Sequence, residues 1–303
     1  MKKYIRIICI LMSLSMILSV SMYGTGAETV YTCDDYSYIY TDQGKAEIIS
    51  YSGTETELKI PAELNGRAVV SIGASAFSKS QIKSVEFPEG LLNISQYAFF
   101  ECPNLVSVKL PSTLKTIGLS AFYQNFSLES INLEDTQLQY VSMMTFSGCT
   151  YLDNIKLPQT CTGIYSGAFA YCISLENIYI PKSVENIADN AFSNTGRVTV
   201  TGYHNSYADE FCSQKSITFI PISISCLLGD ANKDDTINIT DCTYIQRCLA
   251  KIHDTTDYVS VSGDADEDGK LSINDVTAIQ KYLCRIDVTQ VAPNIGTEIT
   301  KFA

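Results

Sequence analysis

The sequence predicts a mixed α/β chain: a β-solenoid of short repeats with a cap at each end, then a small all-α module of two loop–helix units. Three observations predict it. An Ala-Phe dipeptide recurs at near-constant spacing from about 60 to 200. Each recurrence is followed by a short apolar strand pattern of the L-x-x-I-x-L kind. Two acidic loops, 34 residues apart and each followed by a helical apolar stripe, come after the repeats.

Residues 1–27 stand apart from this architecture. Lys2, Lys3 and Arg6 precede and enter an apolar run, IICILMSLSMILSVSM, and GTGA supplies small residues with cleavage expected after Ala27. This is the pattern of a signal peptide and places the mature chain outside the cytoplasm. No other stretch approaches the roughly 20 apolar residues that a spanning helix needs. Neither a wall-sorting pattern nor a lipid-acceptor Cys at the cleavage site is seen, so a soluble, secreted protein is expected. Hydrophobic residues make up 46% of the 303, enough for a substantial core and two domains of ordinary size. The net charge is −12, and more negative once the three basic residues of the leader are gone. This argues against nucleic acid, whose binding rests on basic patches, and suits a chain that collects divalent cations.

The repeat is anchored by Ala76-Phe77, Ala98-Phe99, Ala121-Phe122, Thr145-Phe146, Ala168-Phe169 and Ala191-Phe192, with Phe spacings of 22, 23, 24, 23 and 23. Three residues after three of these Phe comes Cys102, Cys149 or Cys172, and once Asn125. Then follow LVSVKLP (105–111), LESINLE (128–134), LDNIKLP (152–158) and LENIYIP (175–181). Leu105, Val108 and Leu110 fall where a short strand points into a core, and Pro111 ends it because it cannot continue the ladder. Leu114, Ile117, Ala121 and Phe122 line the return path. One unit has too little apolar surface to stand alone, and stacking builds one continuous core. These segments read as leucine-rich repeats and resemble the bacterial surface-antigen type, with its Ala-Phe, Cys/Asn and Leu-Pro landmarks. Residues 28–222 are expected as the repeat domain, with caps at about 28–73 and 198–222; the latter reads as strand, short helix, strand.

The register disciplines the 11 cysteines, one of which (Cys9) lies in the leader. Cys102, Cys149 and Cys172 share one slot, expected as a stacked ladder of small side chains bonding the turn backbone. Cys161 takes the slot of Leu114 and Val184 and is expected as a small core residue. The outward strand positions are Ser84/Glu86, Ser107/Lys109, Ser130/Asn132, Asn154/Lys156 and Asn177/Tyr179. They form a polar, mixed-charge surface with one aromatic and no Trp, which favours a protein ligand over a sugar platform and leaves the ligand unidentified.

Counting from Asp230 as position 1, Asn232, Asp234, Thr236, Asn238 and Asp241 occupy positions 3, 5, 7, 9 and 12. Asp264, Asp266, Asp268, Lys270, Ser272 and Asp275 fill the same places in the copy. This is the numbering of a calcium loop: side-chain oxygens come from 1, 3, 5, 9 and 12, and position 7 offers its backbone carbonyl. Two Ca²⁺ are expected, with position 9 acting directly or through water. Position 6 wants Gly; Gly269 supplies it and Asp235 replaces it in the first loop. An acidic turn can mimic such a loop, but two in-register copies argue against coincidence.

An ordinary EF-hand has a helix before its loop. Here 221–228 looks extended and 254–262 is rich in β-branched residues, so no leading helix is expected at either. Helices follow instead. Residues 240–252 carry a stripe of Tyr244, Ile245, Cys248, Leu249 and Ile252, and 274–286 one of Val276, Ile279, Leu283 and Ile286. The duplicated loop followed each time by such a helix resembles a type I dockerin, covering 227–287. The resemblance implies two F-hand units and, as partner, a cohesin module on the scaffolding protein (scaffoldin) of a cellulosome. It also implies contacts through positions 10, 11, 17, 18 and 22 of each copy. Those are Ile239, Thr240, Gln246, Arg247 and Lys251, then Ile273, Asn274, Gln280, Lys281 and Arg285. Ile239-Thr240 and Ile273-Asn274 depart from the family's Ser-Thr pair. The matched character of the copies implies that either helix could face the cohesin. Residues 288–303 read as a loose tail, or as a clasp between the module's ends.

A non-catalytic cellulosome component follows: a repeat domain delivered to a scaffold by a calcium-dependent dockerin, in the context of polysaccharide breakdown. A surface adhesin tethered through an anchored cohesin is the alternative. A glycoside hydrolase is disfavoured, since 28–222 is accounted for by strands, turns and caps, the sequence holds only two His, and Ser-His-Asp and zinc-hydrolase motifs are absent.

Overall fold

In the computed structural model, residues 29–234, 236–253, 255–284, 292, 294–295 and 298–302 are described. The expected leader, residues 1–27, lies outside them.

The repeats coil into a solenoid with two ladders of parallel strands. On the first face Glu57–Lys59, Ser84–Glu86, Ser107–Lys109 and Ser130–Ile131 stack in register, with Leu58, Val85, Val108 and Ile131 aligned. All four side chains are buried, as period-2 alternation requires of a half-covered strand. The return path, read from the sequence only as core lining, also forms strands. Arg67–Ile72, Asn93–Ile94 and Thr116–Ile117 pair in parallel and align Ile72, Ile94 and Ile117. A two-residue strand is too short to show alternation, which is why sequence pattern alone misses it.

Both ladders break at the same coil. The interval from Phe122 to Phe146 is the longest, and Glu134 stands where neighbouring repeats have Pro111, Pro158 and Pro181. Without that proline the chain makes one 3-10 turn, Leu133–Asp135. Beyond it new sheets start, Asn154–Lys156 with Asn177–Ile180, Thr199–Gly202 and Thr218–Pro221 on the first face, and Tyr140–Val141 with Gly163–Ile164 and Asn186–Ile187 on the second. On the near side of the break the Asn132 amide prolongs the pairing with the preceding coil: its Oδ1 accepts from Leu110 N at 2.7 Å and its Nδ2 donates to Leu110 O at 3.1 Å.

The core is a column of rings. Phe77, Phe99, Phe122, Phe146, Phe169 and Phe192 stack at 4.9–5.7 Å between centroids, with planes within 11°. Each buried Phe contributes about 1.5–3 kcal/mol. Beside it runs the expected Cys/Asn ladder. The thiols of Cys102, Cys149 and Cys172 donate to the carbonyls of Phe77, Phe122 and Phe146 at 3.1, 3.2 and 3.1 Å. Asn125 donates to Phe99 O at 3.0 Å and also accepts from Cys102 N at 2.8 Å. Cys161 is fully buried, as expected.

Caps close the column. Tyr31–Cys33, Tyr36–Tyr40 and Ala46–Tyr51 form antiparallel strands, and Tyr51 meets Phe77 at 5.6 Å. At the other end the expected strand–helix–strand is present. Helix α1, Tyr207–Lys215, starts at Ser206, whose hydroxyl accepts from Asp209 N, and sets Phe211 over Phe192 at 6.3 Å.

A second, separate core holds Ala231, Cys242, Ile245, Ala265, Val276, Ala278, Ile279, Ala292 and Ile295. It lies between α2 (Ile239–Leu249) and α4 (Ile273–Leu283). Two expectations need correction. A short helix, α3 (Asp257–Ser262), does precede the second loop. The Thr256 hydroxyl caps it by accepting from Val259 N, and buried Val259 overrides its weak helix propensity. Helix α2 stops at Leu249 and Lys251 turns left-handed, so Leu249 and Ile252 are 42% and 69% exposed instead of completing a buried stripe. Outside the module's helices, strand pairing takes the clasp alternative that the sequence offered for 288–303. Ser223–Leu227 pairs antiparallel with Glu298–Phe302, so the chain before the first loop is clasped to the residues after α4. Backbone groups at 298–302 have no helix to satisfy them, and the extended 223–227 segment offers a partner edge. Ile286 lies outside the described residues.

Candidate calcium loops and docking face

Each loop is folded by the last carboxylate it contains. Asp241, at the third position of α2, accepts from Asn232 N (3.2 Å) through Oδ1 and from Asn238 N (2.8 Å) through Oδ2. Asp275, at the third position of α4, repeats this with Asp266 N (3.2 Å) and Ser272 N (2.6 Å). One side chain thus ties the loop's third residue to the helix start. Both carboxyls are fully buried, and both are pushed above the usual carboxylate range. Burial is the main cause; the backbone N–H donors pull the other way, and the neighbouring loop carboxylates add to the push.

Inside the turns the acids face one another. Asp234 N donates to Asp230 Oδ1 at 3.1 Å, and Gly269 N to Asp264 Oδ2 at 3.1 Å. In the second loop the carboxylates of Asp264, Asp266 and Asp268 each bring an oxygen within 4.8 Å of the others. Asp234 is held below its usual range by hydrogen bonds from Thr236 and Asn232. Gly269 has φ +83°, the left-handed backbone that position 6 requires, and its counterpart Asp235 lies outside the described residues. Lys233 and Glu267, at position 4, are left-handed too. Converging hard oxygen donors on clustered carboxylates suit a divalent cation of the calcium kind.

Position 9 has a second task that the sequence reading missed. Asn238 Oδ1 accepts from Thr240 N (2.8 Å) and Ser272 Oγ from Asn274 N (3.1 Å), making both residues helix N-caps. The signal was present as N-x-x-D and S-x-x-D ahead of each helix, a capping-box pattern. Tyr258 was missed altogether: from α3 its hydroxyl donates to Asp230 Oδ2 at 3.2 Å.

Of the ten residues that the dockerin resemblance assigns to cohesin contact, Ile239, Thr240, Gln246, Arg247, Lys251, Ile273, Asn274, Gln280 and Lys281 are exposed. Ile239 and Ile273, at 59% and 58%, are large apolar groups facing solvent at equivalent places. Arg285 lies outside the described residues. The two histidines sit apart: His204 pairs with Asp209, and His253 stacks on Tyr244.

Residues 70–199 match the BspA type leucine rich repeat region, in six copies, and residues 228–290 match the dockerin type I domain. No curated protein matches the chain. Among solved structures, a leucine rich cell surface protein from Faecalibacterium prausnitzii A2-165 aligns with a TM-score of 0.51 and 28% identity, over 58% of this chain and 55% of that one. The pneumococcal vaccine antigen PcpA shares the fold, at a TM-score of 0.51 and 20% identity, over 64% of this chain and 47% of that one. This chain therefore covers about half the length of each. A dockerin implies a cohesin partner and a cellulosome-type assembly, type I dockerins are calcium-binding modules, and a leucine-rich repeat region implies a binding domain. Among the described residues no helix is long and apolar enough to cross a membrane. The chain is thus built of a BspA-type leucine-rich repeat region followed by a type I dockerin domain.

Proposed function

We propose that this protein is a secreted, non-catalytic component of a cellulosome-type assembly. Residues 28–222 present a ligand-binding face, and residues 227–287 attach it to a scaffoldin cohesin in a calcium-dependent way, in the context of polysaccharide breakdown. The observation that carries this reading is the twin role of Asp241 and Asp275. Each ties a cation-type loop to the start of the helix that bears the exposed candidate contacts. Asp230, Asn232, Asp234, Asn238, Asp241 and the Thr236 carbonyl would hold one Ca²⁺. Asp264, Asp266, Asp268, Ser272, Asp275 and the Lys270 carbonyl would hold the second. Bound calcium supplies positive charge against the clustered carboxylates, and its binding free energy becomes folding free energy.

Calorimetric titration of the mature chain with a scaffoldin cohesin, in calcium and again in EDTA, tests this. Binding is expected in calcium and lost in EDTA; binding that survives EDTA unchanged refutes it. The matched pairs Gln246/Gln280 and Arg247/Lys281 support two equivalent docking modes. Gln246→Glu combined with Arg247→Glu should then leave binding through α4, and total loss argues against two modes.

A second reading, a surface adhesin tethered through an anchored cohesin, is favoured by the likeness to a leucine rich cell surface protein. Both readings share the docking step and differ in what the repeats hold. Hydrolysis in a plant-polysaccharide screen would overturn both in favour of an enzyme.

A further inference from the structure

The first face of the solenoid carries a groove of about 820 Å³, crossing the four strands that precede the sheet break. Its floor holds Ser84, Ser107 and Ser130, aligned one above another. Four strands at about 4.8 Å spacing give a trough of about 14 Å, the span of about four residues of extended polypeptide.

The lining is strongly asymmetric in charge. Six carboxylates line it against two ammonium groups. Both ammonium groups are already engaged, since Lys109 and Lys59 flank Glu86 at 2.9 and 3.4 Å. Four carboxylates, Glu129, Glu134, Asp135 and Asp153, gather at the other end around the 3-10 turn, exposed and in no ion pair among the described residues. The turn is pinned there because Asn132 Nδ2 donates to Asp135 Oδ2 at 2.9 Å. In the chain segments leading to this and the following strands, Phe126, Tyr151 and Ile173 are 46%, 63% and 61% exposed. None of the groove's lining residues is aromatic, so it offers sugar rings no stacking platform.

We infer that this groove seats the ligand of the repeat region, and that the ligand is a lysine- or arginine-bearing polypeptide segment of another protein, laid across the strands. Its cationic side chains meet Glu129, Glu134, Asp135 and Asp153, and its backbone and small polar side chains lie over Ser84, Ser107 and Ser130. This rests on the reading of the repeats as the ligand-presenting unit. The negative groove steers such a segment in and repels acidic polypeptides and uronic-acid glycans.

The test uses the full mature chain and three probes: a fluorescein-labelled (Lys-Thr)6 peptide, its (Glu-Thr)6 counterpart and neutral xylan. The Lys peptide is expected to bind in a salt-sensitive way. Binding should weaken by about tenfold or more in the quadruple variant Glu129→Gln, Glu134→Gln, Asp135→Asn, Asp153→Asn. A control that neutralises Asp42, Glu63, Glu185 and Glu210, all exposed and outside the groove, should bind as the wild type does. Circular dichroism of each variant reports retained fold. Equal binding of the Lys peptide by wild type and groove variant overturns the inference. So does binding of xylan or the Glu peptide that is lost on Ser107→Tyr; that result leaves the ligand-presenting role standing. Failure of cohesin binding would strike the docking reading alone.

Discussion

The hydroxyl of Tyr258, on the short helix ahead of the second loop, donates a 3.2 Å hydrogen bond to Asp230, the first carboxylate of the first loop. Lys233, in the same first loop, lies over the Tyr258 ring at 5.2 Å. A residue of one repeat unit therefore orients a candidate metal ligand of the other. Such outer partners fix ligand orientation and basicity. Tyr258→Phe should weaken calcium binding at the first loop by about three- to tenfold and leave the second loop unchanged. Calorimetric calcium titration resolves the two steps; equal weakening of both would point to a general loss of packing.

The raised carboxyls of Asp241 and Asp275 set the pH response of the metal-free module. Their folded-state values exceed their unfolded ones, chiefly through burial. The native module therefore holds protons that the unfolded chain releases. In EDTA its stability should be greatest below the ordinary carboxylate value of about 4 and fall as pH rises through the raised values. Calcium reverses the trend, because binding requires the deprotonated forms. Scanning calorimetry across this range, with and without calcium, should show melting temperatures of opposite slope.

Asn125 tests the side-chain ladder of the solenoid. Fully buried, it satisfies both Cys102 N and Phe99 O. Asn125→Ala leaves both without a partner and should cost about 2–4 kcal/mol in urea unfolding. Asn125→Cys restores the donor to the Phe99 carbonyl, as its neighbours do, but not the acceptor for Cys102 N. It should recover about half of that loss.

Truncation after residue 297 removes the strand that pairs with Ser223–Leu227. The dockerin transition should then fall by several degrees, on the order of 1–2 kcal/mol, and the repeat transition should not move. An unchanged dockerin transition would show that the pairing adds no stability.

Thiol reactivity follows burial. The Cys161 and Cys172 thiols are pushed up to about 11 and about 12 by desolvation, with Cys149 higher than its ordinary range for the same reason. Only the thiolate alkylates at a useful rate. Iodoacetamide near neutral pH should therefore label exposed Cys284 and spare these three, as read by peptide mass spectrometry.

Local pattern was enough to read the solenoid, because each landmark recurs at a fixed interval and a buried Phe, a small ladder residue and a strand-ending Pro are each dictated within one coil. Both acidic loops and their following helices were legible for the same reason: alternate oxygens and an i, i+4 stripe are short-range signals. What escaped were features made by partners distant in sequence and marked by no recurring landmark. The second strand of each coil exists only because the next coil lies beside it. Helix α3 forms because Val259 is buried, against its local propensity. The sequence left the tail open between loose and clasped, and the pairing of residue 223 with residue 302 decides it; Tyr258 finds Asp230 only when the two loop units pack together. By itself the sequence determined the repeating unit, the candidate ligand sets and the order of the two modules. Tertiary structure alone decided where the ladders break, which carboxylates gather beside the groove and which helix residues are left in solvent, since burial and long-range pairing are properties of the assembled chain.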